Sequence, residues 1–272
     1  MQLEIIRDFQ LYRSGVPVAL APSSQRLVAY LALQDHPVQR VRVGEVLWCD
    51  ADPHRAAANL RSTLWRLPVR DVVASSSSHL WLAPSVSVDV DEVTRRALAV
   101  IGPASADGIS LALARELIDA GDLLADWPEE WVMPERERFR QIRLQALDRI
   151  AEGMLDLGRC CDALQVALAV TQAEPLRESA HRVLIRVHLR QGNVSEAIRE
   201  YRCYADLLEA ELDGRPSPLM RGLLAPFVGS DRAIRTAGTG GGRLLPRRRR
   251  IAGTVRSVPT PPAPMRPVAD GR

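Results

Sequence analysis

Arg55, Asn59, Ser62 and Arg66 recur at spacings of four, three and four residues, which places them along one side of a helix. Arg61 and Trp65 flank that side. These residue types in this pattern suit double-stranded DNA. A helix fits the major groove, where arginine donates two hydrogen bonds to guanine O6 and N7 and asparagine pairs with adenine N6 and N7. Arginines near helix ends more often grip phosphate, which sets register without reading sequence. On this reading Arg55, Asn59 and Ser62 read or approach bases, while Arg61 and Arg66 divide between bases and phosphate. Arg42, just ahead of the preceding helix, is a phosphate candidate. Four arginines and no acid lie between Pro53 and Arg70. The competing reading is an ordinary surface helix solvated by its polar residues.

Other chemistry finds little support. The stretch GTGGGR lacks the GKS or GKT ending of a phosphate-binding loop and reads as linker. His181 and His188 are seven apart on one helix face, with Cys161 and Cys203 in neighbouring helices, but the spacing is not that of metal ligands. Packing or capping is expected of both histidines. Cys49, Cys160, Cys161 and Cys203 follow neither metal nor redox spacing; at least two are expected to be small buried apolar residues in a reducing cytoplasm. No acidic pair stands out as a catalytic dyad. No enzyme activity, cofactor or metal is expected. No apolar run approaches the roughly 18–20 residues of a membrane helix, and MQLEIIRDFQLY does not read as a secretion signal. The expectation is a cytoplasmic protein with no membrane contact.

The elements that must position the basic helix can be read from periodicity. LEIIRDFQLY and VPVAL, separated by Ser14-Gly15, read as short strands. Pro22-Ser23-Ser24 opens a helix to about Gln34, with Leu27, Val28, Leu31 and Ala32 on one face. A short helix follows over about Val43–Trp48. Asp52 and Pro53 form a helix entry, and the third helix runs to about Leu67, with Ala56, Leu60, Leu64 and Leu67 beneath. Residues 71–82 then read as strand, serine-rich loop and strand. Val86, Val88 and Val90 alternate as a last strand. Strands, three helices and a hairpin follow the logic of a winged helix. The hairpin tip, Ser75–Ser78 with His79, offers hydroxyl and imidazole donors to a minor groove or the backbone but no arginine; a plain loop with no base contact is the expectation and such a contact the alternative.

From residue 91 the pattern is helical throughout. Candidates are Asp91–Ile101, Ser110–Ile118, Glu135–Leu157, Cys161–Gln172, Arg177–Arg190 and Val194–Leu212. Trp127 and Trp131 are expected to dock the entrance of the long helix on the preceding element. Gly158 and Gly192 are 34 residues apart, as are Ala163 and Ala197, and Leu164 and Ile198. That is the period of the tetratricopeptide unit. Beyond about Phe227 the composition turns to Gly, Pro and Arg, and residues 229–272 read as disordered. Charge follows the same division. All 36 basic side chains are arginine, against 33 acids, for a net +3. That total conceals +1 over residues 1–90, −6 over 91–228 and +8 over 229–272. RRRR at 247–250 adds a candidate for salt-sensitive contact with DNA.

Two stretches resemble the Streptomyces antibiotic regulatory protein family. VLWCDADPHRAAANLRSTLWRL (46–67) resembles its winged-helix segment. GDLLADWPEEWVMPERERFR (121–140), EPLRESAHRVLIRVHLRQGNVSEAIREYRCYADLLEAEL (174–212) and RPSP (215–218) resemble its bacterial transcriptional activation domain. The resemblance covers about residues 1–225. It implies an α+β fold: an N-terminal OmpR-like winged helix-turn-helix (1–90), followed by an all-α tetratricopeptide-like domain (91–228). It also implies a transcriptional activator of specialised-metabolite gene clusters, one that binds promoter direct repeats and contacts RNA polymerase, with homodimers possible. Two departures stand out. Leu67-Pro68-Val69-Arg70 breaks where a further basic helical residue is usual, and Glu174 replaces the usual Asp before Pro-Leu. A non-enzymatic adaptor that binds a protein partner through its helical repeats is the alternative.

Overall fold

The structure, a computed structural model, describes residues 1–102 and 109–227. Three strands open the chain, β1 (Gln2–Glu4), β2 (Gln10–Arg13) and β3 (Val16–Val18), with Ser14-Gly15 turning between the last two. Three helices follow: α1 (Pro22–Ala32), α2 (Arg40–Leu47) and α3 (Pro53–Trp65), with a two-residue strand β4 (Val38–Gln39) ahead of α2. A single 3-10 turn (Arg70–Val72) leads to β5 (Val73–Ser75), β6 (His79–Leu82) and β7 (Ser87–Val88). β4, β6 and β5 form one antiparallel sheet in that order. The second sheet runs β3-β2-β1-β7, closed by a parallel pairing of β1 with β7.

Three expectations need correction here. α2 begins at Arg40, three residues ahead of the apolar periodicity, so Arg42 lies inside the helix rather than before it. No side chain caps that end, so the sequence carries no start signal there. The valine alternation at 86–90 yields a strand of only two residues, because α4 (Asp89–Ile101) starts at Asp89 and takes Val90 with it. The Asp89 carboxylate accepts from the Ile5 and Ile6 N–H groups, both at 3.0 Å, and from Val90 N–H at 2.7 Å. The cysteines are not buried: Cys49, Cys161 and Cys203 are exposed and Cys160 is half-buried. Cys160 and Cys161 stand at the solvent-facing start of a helix, where spacing alone could not place them.

The rest of the described chain is α-helical: α5 (Leu111–Asp119), α6 (Met133–Asp156), α7 (Cys160–Ala173), α8 (Glu178–Arg190), α9 (Val194–Leu212) and α10 (Pro218–Leu224), the last not anticipated. The 34-residue repeat is visible in hydrogen bonds. After α6, Gly158 N–H donates to Leu155 (3.0 Å) and Arg159 N–H to Met154 (2.8 Å); after α8, Gly192 N–H donates to Leu189 (3.0 Å) and Asn193 N–H to His188 (2.8 Å). Both glycines are left-handed, at φ +78° and +77°. This is the Schellman ending of a helix. Ala163 and Ala197 are both fully buried where the paired helices approach. The expected disordered tail, with RRRR, lies outside the described residues.

One apolar core runs from Leu3 and Val88 through Leu117 and Leu147 to Val187, joining the sheet to the helical half. A smaller cluster of Leu27, Leu31, Val43, Leu47, Leu60 and Leu80 holds α1, α2, α3 and the hairpin together. Between the halves runs Gly121–Val132. Arg7 N–H donates to Asp122 O (2.8 Å), Leu124 N–H to Ile5 O (2.9 Å) and Ala125 N–H to Arg7 O (2.8 Å). On its other side the Arg136 guanidinium donates to the carbonyls of Leu123 (2.8 Å) and Trp127 (3.1 Å). Trp127 stacks on Phe9 and Trp131 stands edge-on to Tyr30, so both tryptophans serve packing. Arg26 of α1 pairs with Glu129 at 2.8 Å.

Candidate nucleic-acid interface

The site is organised by α3. Asp52 caps it: its carboxylate accepts from the N–H groups of His54 and Arg55, each at 3.1 Å, and Pro53 occupies the first turn. Pro68 disfavours helical backbone at Leu67, and the helix stops at Trp65 with Arg66 as its C-cap. Ala56, Leu60 and Thr63 are buried, and Leu60, with Leu64 beside it, seats α3 on the smaller core. That leaves the opposite side outward. Arg55, Arg61 and Arg66 are exposed, and Asn59 and Ser62 are partly so.

The candidate residues are not one cluster. At about 100° per residue, Arg61 lies about 120° around the helix from Arg55. Arg55, Asn59, Ser62 and Arg66 share one flank, as their spacing predicts. Arg55 borders a groove of about 250 Å³ with Arg26, Trp48 and Asp50, at the turn between α2 and α3. Arg61 borders the opposite groove, of about 360 Å³, beside the hairpin, with Arg40, Trp65, Arg70 and Ser75. A third groove, of about 370 Å³, separates α2 from α3 and is lined by Arg40, Val41, Glu45, Ala57, Arg61 and Ser77.

Arg42 lines none of these three grooves. It is exposed on α2 and pairs with Glu45 at 3.5 Å. Its charge acts on Tyr30 of α1, whose phenol is raised by burial and lowered in part by Arg42.

Arg40, Arg70 and Trp65 were not among the sequence candidates. Arg40 matters most. Its guanidinium donates to the Ser76 carbonyl through Nε (3.2 Å) and a terminal nitrogen (3.1 Å), so an arginine stands at the hairpin tip although the tip has none in sequence. The pairing of Val38 with Leu80 brings the start of α2 there. The tip's own polar groups are largely spent within the turn: Ser76 Oγ accepts from His79 N–H (3.0 Å), and Ser78 Oγ lies 2.9 Å from His79 Nδ1. Trp65 is 75% exposed, the most exposed of the large apolar side chains on any described element. Arg70, five residues beyond α3, and a tryptophan flanking its basic side were the available signals; Arg40, thirteen residues ahead of α3, left none.

Elsewhere, no group of His, Cys, Asp and Glu among the described residues is arranged to hold a metal. His181 is buried, with Nδ1 2.6 Å from Glu200 and Nε2 2.8 Å from the Pro175 carbonyl, and its ring lies 4.4 Å from that of Tyr204. No described helix is long and apolar enough to cross a membrane.

Comparison with known proteins locates the helical half. Residues 88–225 match the bacterial transcriptional activator domain. The chain is 26% identical over 245 residues to Regulatory protein AfsR of Streptomyces coelicolor, covering 86% of this chain and 25% of that protein. It is 25% identical to Regulatory protein AfsR of Streptomyces griseus, covering 84% and 24%. The chain thus spans about a quarter of the length of these relatives. Its fold is similar to that of Mycobacterium tuberculosis EmbR, solved in complex with a low affinity phosphopeptide: TM-score 0.66 and 23% identity, over 82% of this chain and 63% of that one.

Proposed function

The chain belongs to the bacterial transcriptional activator domain family, as its resemblance to the Streptomyces antibiotic regulatory proteins implied, and from that premise we propose that it is a sequence-specific, DNA-binding activator of transcription. The observation that carries this reading is α3. It is capped, seated on its own small core, turned outward beside a hairpin, and basic without an acid from Pro53 to Arg70.

On this proposal residues 1–90 act as an OmpR-like winged helix, with α3 in the major groove. Arg55, Asn59 and Ser62 meet bases; Arg66, at the helix end, and Arg42 meet phosphate. The helical residues 91–228, with net charge −6, face protein rather than DNA. They supply contacts to RNA polymerase or to a second copy on adjacent direct repeats. The target genes are those of a specialised-metabolite or other pathway cluster. The Gly121–Val132 segment couples the halves, so a bound operator would also orient the helical half.

Binding-site selection from a random duplex pool tests the reading. The wild type is expected to enrich a defined sequence. Arg55→Ala and Asn59→Ala should each cost about 1–3 kcal/mol on that duplex and relax preference at one position. A folded Arg55→Ala, Asn59→Ala, Arg66→Ala triple variant that binds the selected duplex as the wild type does would sink the assignment.

A further inference from the structure

We infer that the cavity where α1, α4 and α6 meet binds a small organic cation, an ammonium head carried on an apolar body. The inference does not depend on what α3 binds. The cavity holds about 290 Å³ and draws its lining from both halves of the chain. Leu33 and Asp35 come from the end of α1, Asp91, Thr94 and Leu98 from α4, and Phe139 from α6. Ligand pockets run upward from roughly 300 Å³, so a cavity near that lower bound suits a small molecule. Leu123 and Phe139 are buried and give it an apolar base, and Leu98, 48% exposed, gives it an apolar wall.

Charge selects the ligand. Both arginines of the lining are engaged by glutamates of their own helices: Arg95 pairs with Glu92 at 2.6 Å and Arg138 with Glu135 at 3.3 Å. Asp35 and Asp91 stand exposed at the mouth, and among the described residues neither has an ion-pair partner. Partial burial, and then the like charges of Asp35 and Asp89, push the Asp91 carboxyl above its ordinary range. A cation between the two carboxylates relieves that repulsion, whereas an anion adds to it. α1 also ends here, and the carbonyls of a helix end carry partial negative charge. A bare metal ion leaves the apolar base unused, and no group of His, Cys, Asp and Glu among the described residues is arranged to hold one. An alkyl or arylalkyl ammonium uses both features. Its N–H groups donate to Asp35 and Asp91, and its body covers Leu98, Leu123 and Phe139. Because α1 and α6 belong to different halves, a ligand seated here bridges them and makes the cavity an effector site.

The test titrates the full chain with 3-phenylpropylamine at neutral pH, where the amine is protonated, and follows binding by calorimetry and amide NMR shifts. Saturable binding is expected, with the shifts centred on residues 33–35, 91–98 and 135–142. Asp35→Asn and Asp91→Asn, which keep the shape of the side chain, should each weaken it about tenfold, the scale of one hydrogen bond to a charged group. Leu98→Ala should weaken it severalfold through lost apolar cover. The neutral analogue 3-phenylpropanol should bind at least about tenfold more weakly than the amine, and the anion 3-phenylpropionate should not bind. Circular dichroism establishes that each variant is folded. Absence of saturable binding by the amine overturns the inference, as does equal binding by the alcohol. So does unchanged affinity in a folded Asp35→Asn, Asp91→Asn double variant. Each of these outcomes leaves the α3 reading intact, and a failure of the α3 reading on duplex DNA leaves this site untouched.

Discussion

Trp131 meets Tyr30 edge to face, with ring centroids 5.3 Å apart and planes at 87°, across the junction of the helical half with α1. Trp127, 6.2 Å away, continues the aromatic series to Phe9. The junction is thus packed rather than merely tethered. Trp131→Ala is expected to destabilise the chain by about 3 kcal/mol, the scale of large-to-small changes in a core. Urea unfolding followed by circular dichroism checks this. A loss of only a few tenths of a kcal/mol would mean that the halves do not stabilise each other through this contact.

Asp52 is the side chain that starts α3. Asp52→Ala leaves the His54 and Arg55 N–H groups without that acceptor and should cost about 1 kcal/mol, whereas Asp52→Asn retains most of the cap. Denaturant midpoints of the two variants provide the comparison. If DNA binding depends on α3, its affinity should follow the same order.

Gly158 and Gly192 test the repeat directly. A Cβ at either would meet nothing within 4 Å, so the cost of alanine is conformational rather than steric. With φ at +78° and +77°, Gly158→Ala and Gly192→Ala should each destabilise by about 1–2 kcal/mol, the scale of left-handed backbone in an L-residue. The two losses should agree closely. Very different losses would show that the turns are not equivalent units.

Asp89 joins α4 to the chain leaving β1. Burial pushes its carboxyl above the ordinary range, opposed by the N–H groups of Ile5, Ile6 and Val90. The folded chain therefore keeps this proton over a window in which the unfolded chain has released it. The stability from that proton is complete below the unfolded value and is lost as pH rises through the folded one. Asp89→Ala should flatten this part of the pH profile. It also strands the Ile5 and Ile6 N–H groups, at about 1–3 kcal/mol for each that stays buried. Urea titrations across the acid range should show both effects. A profile as steep as the wild type's would assign the proton to another group.

Much of the architecture was legible because it is written in local periodicity. The helices from α3 to α9 carry their apolar spacing, and the Asp52-Pro53 entry and the repeated glycine turns carry their own backbone requirements. α10 and the start of α2 were not legible. The first spans only seven residues, too few for a periodic mark, and its one sign was the Ser217-Pro218 entry, where Ser217 accepts from Met220 N–H; the second has no capping side chain. The cysteines were misplaced because a small apolar residue can lie on either face of an amphipathic helix, and composition does not say which.

The candidate site divides in the same way. Sequence alone determined that Arg55, Asn59, Ser62 and Arg66 share a flank, because helical geometry depends only on spacing. Only the tertiary structure decided that Arg61 and Trp65 line a groove with Ser75 of the hairpin, that Arg42 pairs with Glu45, and that Arg40 stands at the tip beside Ser76. These residues come from separate elements, and their approach depends on how β4 pairs with β6 and how α2 and α3 seat on one core. No spacing along the chain encodes those contacts. They arise from burial of Leu27, Val43, Leu60 and Leu80 against one another, which positions the charged side chains around them.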